Sequence, residues 1–310
     1  MPKVSILIAA RNAEATIVRT LDSLREQTET DWQAIVVENG SIDSTLAVAR
    51  GFAETDSRIH VESREGGTAA SARNAAAALA EADWLLPLDA DDFLAPAALE
   101  AQLAFIAGHP GYSMYLWGQT LCLPGGEERP APAYRGAGVR EYGFKDLAFQ
   151  RAHIGASLFW RKGLFDRLGG YREFYAEDYD LVLRAAMSGA VALRNPERLQ
   201  FYRVGAGSKT GSGFDKHAES IRAVIADAES HCSEGPNGCR QVLAAARREF
   251  TSAQARDEFR TRLTVGDTNS LRGVYLQALD RERSWSDKWL WAAPAALLWP
   301  RLVRPFLGRG

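Results

Sequence analysis

Two pairs of acids in this chain have the types and positions to do chemistry. The first ends the stretch Trp84-Leu85-Leu86-Pro87-Leu88-Asp89-Ala90-Asp91-Asp92. The run before the acids has the length and composition of a buried strand, so they fall at its carboxyl end. Open α/β sheets bind ligands at that edge. Side chains two apart on an extended chain point the same way, which predicts that Asp89 and Asp91 face one object while Asp92 faces away. Two carboxylates aimed at one point repel unless a cation sits between them. Hard oxygen ligands suit Mg²⁺ or Mn²⁺, ions that keep substrate phosphates as further ligands. The expectation is a metal–diphosphate site. Taken alone, the residues fit equally well an acidic turn that caps a helix after Phe93-Leu94-Ala95-Pro96. The second pair, Glu177-Asp178, opens a helical pattern, where the dipole also favours acids.

Composition limits the classes to consider. The chain has 310 residues, 46% hydrophobic and 25% charged, ordinary values for a globular protein with a sizeable core. A formal net charge of -2 gives no reason to expect a nucleic-acid partner. Arg outnumbers Lys, and Arg suits bidentate phosphate contacts, although genome composition explains the bias equally well. Cys122, Cys232 and Cys239 form no zinc pattern and leave an odd thiol. A reducing compartment fits them best, with a Cys232–Cys239 bridge left open. Val4 to Ala10 is too short for a secretory signal, and no stretch has the length and hydropathy of a membrane span. The expected location is cytoplasmic.

The elements that must position the acids follow an alternating pattern. Strands are expected at Val4–Ala10, Ala34–Val37 and Arg58–Glu62, and through the acidic stretch itself. Helices are expected from Ile17 to about Gln27, Leu46 to Ala53 and Ala69 to Ala80. Such alternation implies right-handed crossovers, a largely parallel sheet and polar turns gathered on one edge. A helix near Ala97 to Ala107, a strand through Tyr112–Trp117 and an exposed Gly/Pro-rich loop from Pro124 to Gly138 come next. Gly155–Arg161 reads as a strand, and Leu164–Tyr171 as a short helix stopped by glycine. Glu177–Ala186 reads as a helix and Leu199–Val204 as a late strand. From Phe214 onward the pattern is helical: to about Ser230, then Gln241 to about Leu263, then Leu271 to Arg283.

The ordered set of motifs resembles the family 2 inverting glycosyltransferases. The set comprises Val4-Ser5-Ile6-Leu7-Ile8-Ala9-Ala10-Arg11-Asn12, Val36-Val37-Glu38-Asn39-Gly40-Ser41-Ile42-Asp43-Ser44-Thr45, Ser71-Ala72-Arg73-Asn74 and Leu88-Asp89-Ala90-Asp91-Asp92. It continues with Gly169-Gly170-Tyr171, Glu177-Asp178-Tyr179-Asp180-Leu181 and Tyr202-Arg203. Each motif alone is weak; the order over roughly residues 3 to 210 makes the set strong. The resemblance implies an α/β GT-A fold, the nucleotide-diphospho-sugar transferase fold, with a mostly parallel central sheet flanked by helices. It places a catalytic domain at 1–213, with a nucleotide-binding half to about 122 and an acceptor half from 123. A helical C-terminal extension covers 214–310.

The resemblance also implies residue roles. The donor is a nucleotide-diphosphate sugar whose base and ribose lie on Ala9, Arg11, Glu38 and Asn39, with Arg73 and Ala90 nearby. A carboxylate accepting from a uracil imide is a well-oriented contact. Glu38 stands where the family more often has Asp, which bears on the choice of uridine. Asp91 matches the ligand of a Mn²⁺ or Mg²⁺ ion, and Asp89 the residue that reaches ribose or the metal's water. Asp178 matches the general base of a single displacement, with Glu177 beside it, while Asp180 and Arg184 read as structural. Many relatives carry a His after the Tyr-Arg pair; here Gly205 stands near that place. None of His60, His109, His153, His217 and His231 replaces it cleanly, and Ser208 or Lys209 is the substitute contact for the diphosphate. The Gln/Arg-rich motif of processive synthases is missing, which favours transfer of single sugars to a hydroxyl of a glycan or lipid-linked glycan.

Near the C-terminus, Trp285, Trp289, Trp291 and Trp299 interleave with Lys288, Arg301, Arg304 and Arg309. Tryptophan and arginine around an apolar face suit a membrane interface, here the inner face of the cytoplasmic membrane. A tail packed on the protein's own core or on another subunit fits as well. Two rival functions stay open at this point. A nucleotidyltransferase would normally show a Gly-rich loop after the first strand, and Ala9-Ala10-Arg11-Asn12-Ala13 has no glycine. A binding protein without catalysis is disfavoured by Asp89, Asp91 and Asp178, and mildly favoured by Gly205.

Overall fold

The computed structural model describes residues 1–123, 125–131, 138–149, 158–204, 214–232 and 238–250. The chain divides into two units, Met1–Ser230 and His231–Gly310. In the first unit, strand β1 (Val4–Ala10) is buried along almost its whole length. Its side chains alternate between two cores: Ile6 and Ile8 pack on one face with Leu21 and Leu24, and Leu7 packs on the other with Ala72 and Ala76. A strand covered on both faces needs no polar alternation, which is why this one reads as a continuous apolar run.

Helix α1 (Ile17–Arg25) is followed by β2 (Trp32–Asn39), α2 (Thr45–Thr55), β3 (Ile59–Arg64), α3 (Ala69–Ala78) and β4 (Trp84–Pro87). These strands pair in the order β3-β2-β1-β4, all parallel. Their carboxyl ends therefore share one edge. Alanines at 70, 72, 76 and 77 give α3 a small-residue face that is buried on the sheet. Thr68 and Ser71 cap α3 reciprocally, so its start is fixed.

The second half of the sheet is mixed. Next along the chain are β5 (Phe93–Leu94), α4 (Ala98–Gly108), β6 (Met114–Cys122), β7 (Glu128–Pro130), β8 (Arg140–Tyr142) and α5 (Phe144–Ala148). Then come β9 (Leu158–Arg161), α6 (Lys162–Arg167), α7 (Glu177–Met187), β10 (Ala192–Arg203) and α8 (Phe214–His231). The order continues β4-β9-β6-β10-β5, with β9 antiparallel to both β4 and β6, and β10 parallel to β6. The first four strands are thus wholly parallel, and the second half keeps a parallel pair, β6 with β10.

Several expectations are corrected here. The Pro124–Gly138 segment is not all loop, because β7 returns antiparallel along β6. Strand β10 starts seven residues before the expected Leu199, its pairing with β6 shifting register between Arg194 and Gln200, around Pro196. Proline cannot donate to a ladder, and the sequence pattern breaks there for that reason. The first unit runs through Ser230 and so takes in nearly all of α8, which buries Ile221, Val224, Ile225 and Ala228. In the second unit, a helix covers 239–250. Cys232 and Cys239 are joined there, with Cα atoms 6.0 Å apart, within bridging range. Cys122 is a free thiol, and the bridge that the sequence left open is the one formed. Among the described residues, no helix is long and apolar enough to cross a membrane. The Trp/Arg tail, the helices expected beyond residue 250, and Gly205, Ser208 and Lys209 lie outside the described residues.

Candidate active site

The shared edge gathers the ends of β1, β2 and β4. The turn after β1 is tied to the turn after β2 by reciprocal bonds. Asn12, in the left-handed region at φ 50, accepts from Ile42 N through Oδ1 at 3.0 Å, and its own N–H donates to Ser41 Oγ at 3.0 Å. Glu14 accepts from Ser44 N at 2.8 Å, and Ala13 N donates to Thr45 Oγ1 at 2.7 Å. These links make the two turns one rigid wall, on which Ala9 is half-buried and Arg11 exposed.

Glu38 and Asn39 end β2 and are both buried. Glu38 accepts from Ser41 N at 2.5 Å and from Ser63 Oγ at 3.0 Å. Burial works to raise its pKa, but the bonds from Ser41 and Ser63 outweigh burial and hold the carboxyl below its ordinary value. Glu38 is thus an anion already engaged by its own turn, and each oxygen keeps a second lone pair for a ligand. Asn39 donates to the Thr68 carbonyl at 3.3 Å. Its Oδ1 is buried with no hydrogen-bond partner among the described residues. A Cβ on Gly67, at φ +139, would come within 3.2 Å of that oxygen, so glycine keeps the space beside it.

The acid cluster after β4 differs from the simple extended picture. Asp92 N donates to Asp89 O at 3.0 Å, so residues 89–92 form a turn rather than a continuation of the strand. Strand alternation therefore does not by itself aim Asp89 and Asp91 together. The turn is not a cap for α4 either, because β5 intervenes and α4 has no side-chain cap. Thr20 Oγ1 lies 3.0 Å from Ala90 O and 2.7 Å from Asp92 O, and Thr16 Oγ1 donates to Ala90 O at 3.0 Å. Asp92 is fully buried and accepts from Gln200 Nε2 at 2.9 Å and Arg203 N at 3.0 Å. Arg203 Nε also donates to Asp91 O at 3.1 Å. The turn is thereby clasped between α1 and β10. Ala90 is buried and lends its backbone to this clasp.

Asp91 itself is half-buried. Burial first, and then the charge of Asp89, push its pKa up to about 6. A carboxylate kept uncomfortable in this way favours a cation beside it. Among the described residues no three His, Cys, Asp or Glu side chains are grouped to hold a metal. Two carboxylates nevertheless fit Mg²⁺ or Mn²⁺, because such ions take one or two protein carboxylates and fill their shell with water and substrate phosphates.

Arg73 joins the two acid clusters. It is 4% exposed and donates to Asp89 Oδ1 at 2.5 Å and to Glu177 Oε1 at 2.8 Å, with Asp178 Oδ1 at 3.8 Å. Burial opposes its charge, but Asp89, Asp178 and Glu177 hold its pKa well above the ordinary arginine value. Tyr171 lies under the guanidinium, with its ring centroid 5.6 Å away. Asn74 fixes Tyr171 by accepting from its N–H at 2.9 Å and donating to its carbonyl at 2.8 Å. Glu177 is 3% exposed, whereas the Asp178 side chain is 28% exposed. Asp180 is held by Arg172 and Arg184, and Arg184 also donates to the Leu168 and Gly170 carbonyls at 2.6 and 2.7 Å, which makes this pair structural.

The structure thus brings Arg73, Asp89, Glu177 and Asp178 into one cluster, with Asp91 close enough to feel Asp89. Ala9, Arg11, Glu38 and Asn39 lie at or just past the ends of β1 and β2, on the same edge. Sequence reasoning missed Thr16, Thr20 and Gln200, and gave Asn74, part of the Ser71-Ala72-Arg73-Asn74 motif, no role of its own. A buried polar residue inside an otherwise apolar face, as Thr20 is in α1, is the one signal that could have flagged such a support.

Comparisons with known proteins give the family and the fold. The family described as Glycosyl transferase family 2 matches residues 5–151. A PGL/p-HBAD biosynthesis glycosyltransferase of Mycobacterium bovis is 30% identical over 198 residues, covering 62% of this chain and 73% of that protein. Residues 1–349 of S. aureus TarS, solved with UDP-GlcNAc, superpose with a TM-score of 0.69 at 17% identity, covering 98% of this chain and 89% of that one. The mannosyltransferase PcManGT of Pyrobaculum calidifontis, solved with GDP-Man and Mn²⁺, gives a TM-score of 0.59 at 19% identity, over 97% of this chain and 88% of that one. At such identities these structural matches speak for the fold, which is GT-A.

Proposed function

We propose a reaction on one premise: this chain belongs to glycosyltransferase family 2 and is a glycosyltransferase. It moves a single sugar from a nucleoside-diphosphate donor, uridine-based, to a hydroxyl of a glycan or lipid-linked glycan, with inversion. The observation that carries this reading is the Arg73 cluster, which sets a half-exposed Asp178 beside the acid that ends the donor edge. UDP-GlcNAc in TarS and GDP-Man in PcManGT support a nucleotide-sugar donor.

The residues divide the work. Ala9, Arg11, Glu38 and Asn39 hold the base and ribose, with the unpartnered Asn39 Oδ1 as an acceptor for a donor N–H or O–H. Asp91, with Asp89, would hold Mg²⁺ or Mn²⁺, which supplies Lewis-acid charge to the departing diphosphate. Arg73 holds Asp89 in place and keeps Glu177 turned inward. Asp178 accepts the proton of the acceptor hydroxyl as its oxygen attacks the anomeric carbon from the face opposite the diphosphate. Buried Glu177 acts through Arg73 rather than on the acceptor. The Trp285–Gly310 tail rests on an anionic membrane surface, which would put the enzyme at the inner face of the cytoplasmic membrane.

Calorimetry with nucleotide sugars and Mn²⁺ tests the donor half of this reading. Wild type should bind a UDP-sugar more tightly with Mn²⁺ than without, and Asp91→Ala should lose that gain while remaining folded. Equal affinity in the variant with Mn²⁺ present would overturn the assignment of Asp91.

A further inference from the structure

We propose that helix α8 is part of the catalytic apparatus, and that Ser220 and Asp227 are positioning residues that set where Asp178 stands. The inference rests on the reading of Asp178 as the base. Asp178 sits in the first turn of α7, and its backbone is delivered by the segment Arg172–Ala176. That turn has no side-chain cap of its own, because the capping position is Ala176. Helix α8 supplies the missing partner. Ser220 Oγ, buried, accepts from Ala176 N at 2.9 Å, while the Ala176 carbonyl accepts from Asp180 N at 3.1 Å. Both backbone groups of the residue two before Asp178 are therefore fixed.

Two further contacts hold the same segment from α8. Arg172, which clasps buried Asp180, also donates to Asp227 Oδ2 at 2.7 Å. Tyr175 packs edge-on against His217, with ring centroids 6.3 Å apart. His217, Ser220 and Asp227 are spaced at i, i+3 and i+10, so they lie along one side of a helix at 3.6 residues per turn. Apolar anchoring beside this side comes from Ile221, Val224 and Ile225, each 1% exposed. A backbone segment pinned at three points cannot shift without moving the Asp178 carboxylate with it. Displacements of about 1 Å at a reacting group cost on the order of 10²-fold in rate.

The test uses the full chain with UDP-GlcNAc, UDP-glucose, UDP-galactose and GDP-mannose plus Mn²⁺. It reads nucleotide release with water as the acceptor, and amide exchange at residues 176–180. Ser220→Ala, Ser220→Thr, Asp227→Asn and Asp178→Asn are compared, with Ser220→Ala also placed in the Asp178→Asn background. Ser220→Ala should speed exchange at 176–180 and lower kcat roughly 10- to 100-fold, with donor KM within about twofold. Ser220→Thr, which keeps the hydroxyl, should restore most of the rate, and Asp227→Asn should fall between them. The Ser220→Ala loss should vanish once Asp178 is already Asn, since a residue that acts through another has nothing left to position. Unchanged exchange at 176–180, a loss carried by KM, or losses that multiply in the double variant would overturn the proposal. The two readings fail differently: Asp178→Asn at wild-type rate sinks the base assignment, while a slow Asp178→Asn beside a fast Ser220→Ala sinks only the positioning role.

Discussion

Removing Arg73 should destabilise the fold as well as the site. Arg73 and Glu177 are 4% and 3% exposed and meet at 2.8 Å, so Arg73→Met leaves a buried carboxylate with its main cation gone. Removing one partner of a buried pair costs about 3–5 kcal/mol. Asp89 adds little to that figure, because its side chain is 34% exposed and solvent screens the charge it would leave behind. For a unit of this size the loss corresponds to a fall of roughly 6–20 °C in the unfolding midpoint. Adding Glu177→Gln to Arg73→Met removes the stranded charge and should recover at least about 1–2 kcal/mol. Urea unfolding of wild type, both single variants and the double variant, followed by circular dichroism, gives the comparison. If Arg73→Met costs less than about 1 kcal/mol, or the double variant is simply the sum of the singles, the buried-hub argument fails.

Thr20→Val removes the hydroxyl shared by the Ala90 and Asp92 carbonyls; it should cost about 1–3 kcal/mol and weaken Mn²⁺-dependent nucleotide binding, read by thermal shift with and without Mn²⁺. A chain ending before Trp285 should lose co-sedimentation with anionic liposomes at low salt while keeping nucleotide binding; full-length protein that ignores such liposomes would refute the membrane role of the tail.

The first part of the sheet was legible in the sequence because β1, β2 and β4 each carry a local apolar run ended by a polar turn. Val4–Ala10 and Trp84–Pro87 needed no tertiary information. The identity of the acids was legible for the same reason, but their arrangement was not. Strand periodicity aims Asp89 and Asp91 together only while the chain stays extended, and the Asp89–Asp92 turn ends that rule. Asp92 read as pointing away; what it points at is Gln200, 108 residues later, which no local pattern encodes. Arg73 read as lying near the donor, and its bond to Glu177, 104 residues later, is one that its own helix does not encode. Helix α8 was recognised from its periodicity, yet what it holds, Ala176 through Ser220 and Arg172 through Asp227, lies 44 and 55 residues away along the chain. Local physics wrote the elements, and long-range polar contacts wrote the site.

The most direct test of the account is the behaviour of Asp178→Asn in donor binding and in transfer. Asparagine keeps the size and some of the hydrogen bonding of aspartate but cannot accept the proton. Nucleotide-sugar affinity with Mn²⁺ should stay near the wild-type value, since Asp178 is not among the proposed donor contacts. Single-turnover transfer should fall roughly 10²–10⁴-fold, the usual effect of losing a general base, while Glu177→Gln should be milder. Transfer at near wild-type rate by Asp178→Asn, with Glu177→Gln inactive, would contradict the account.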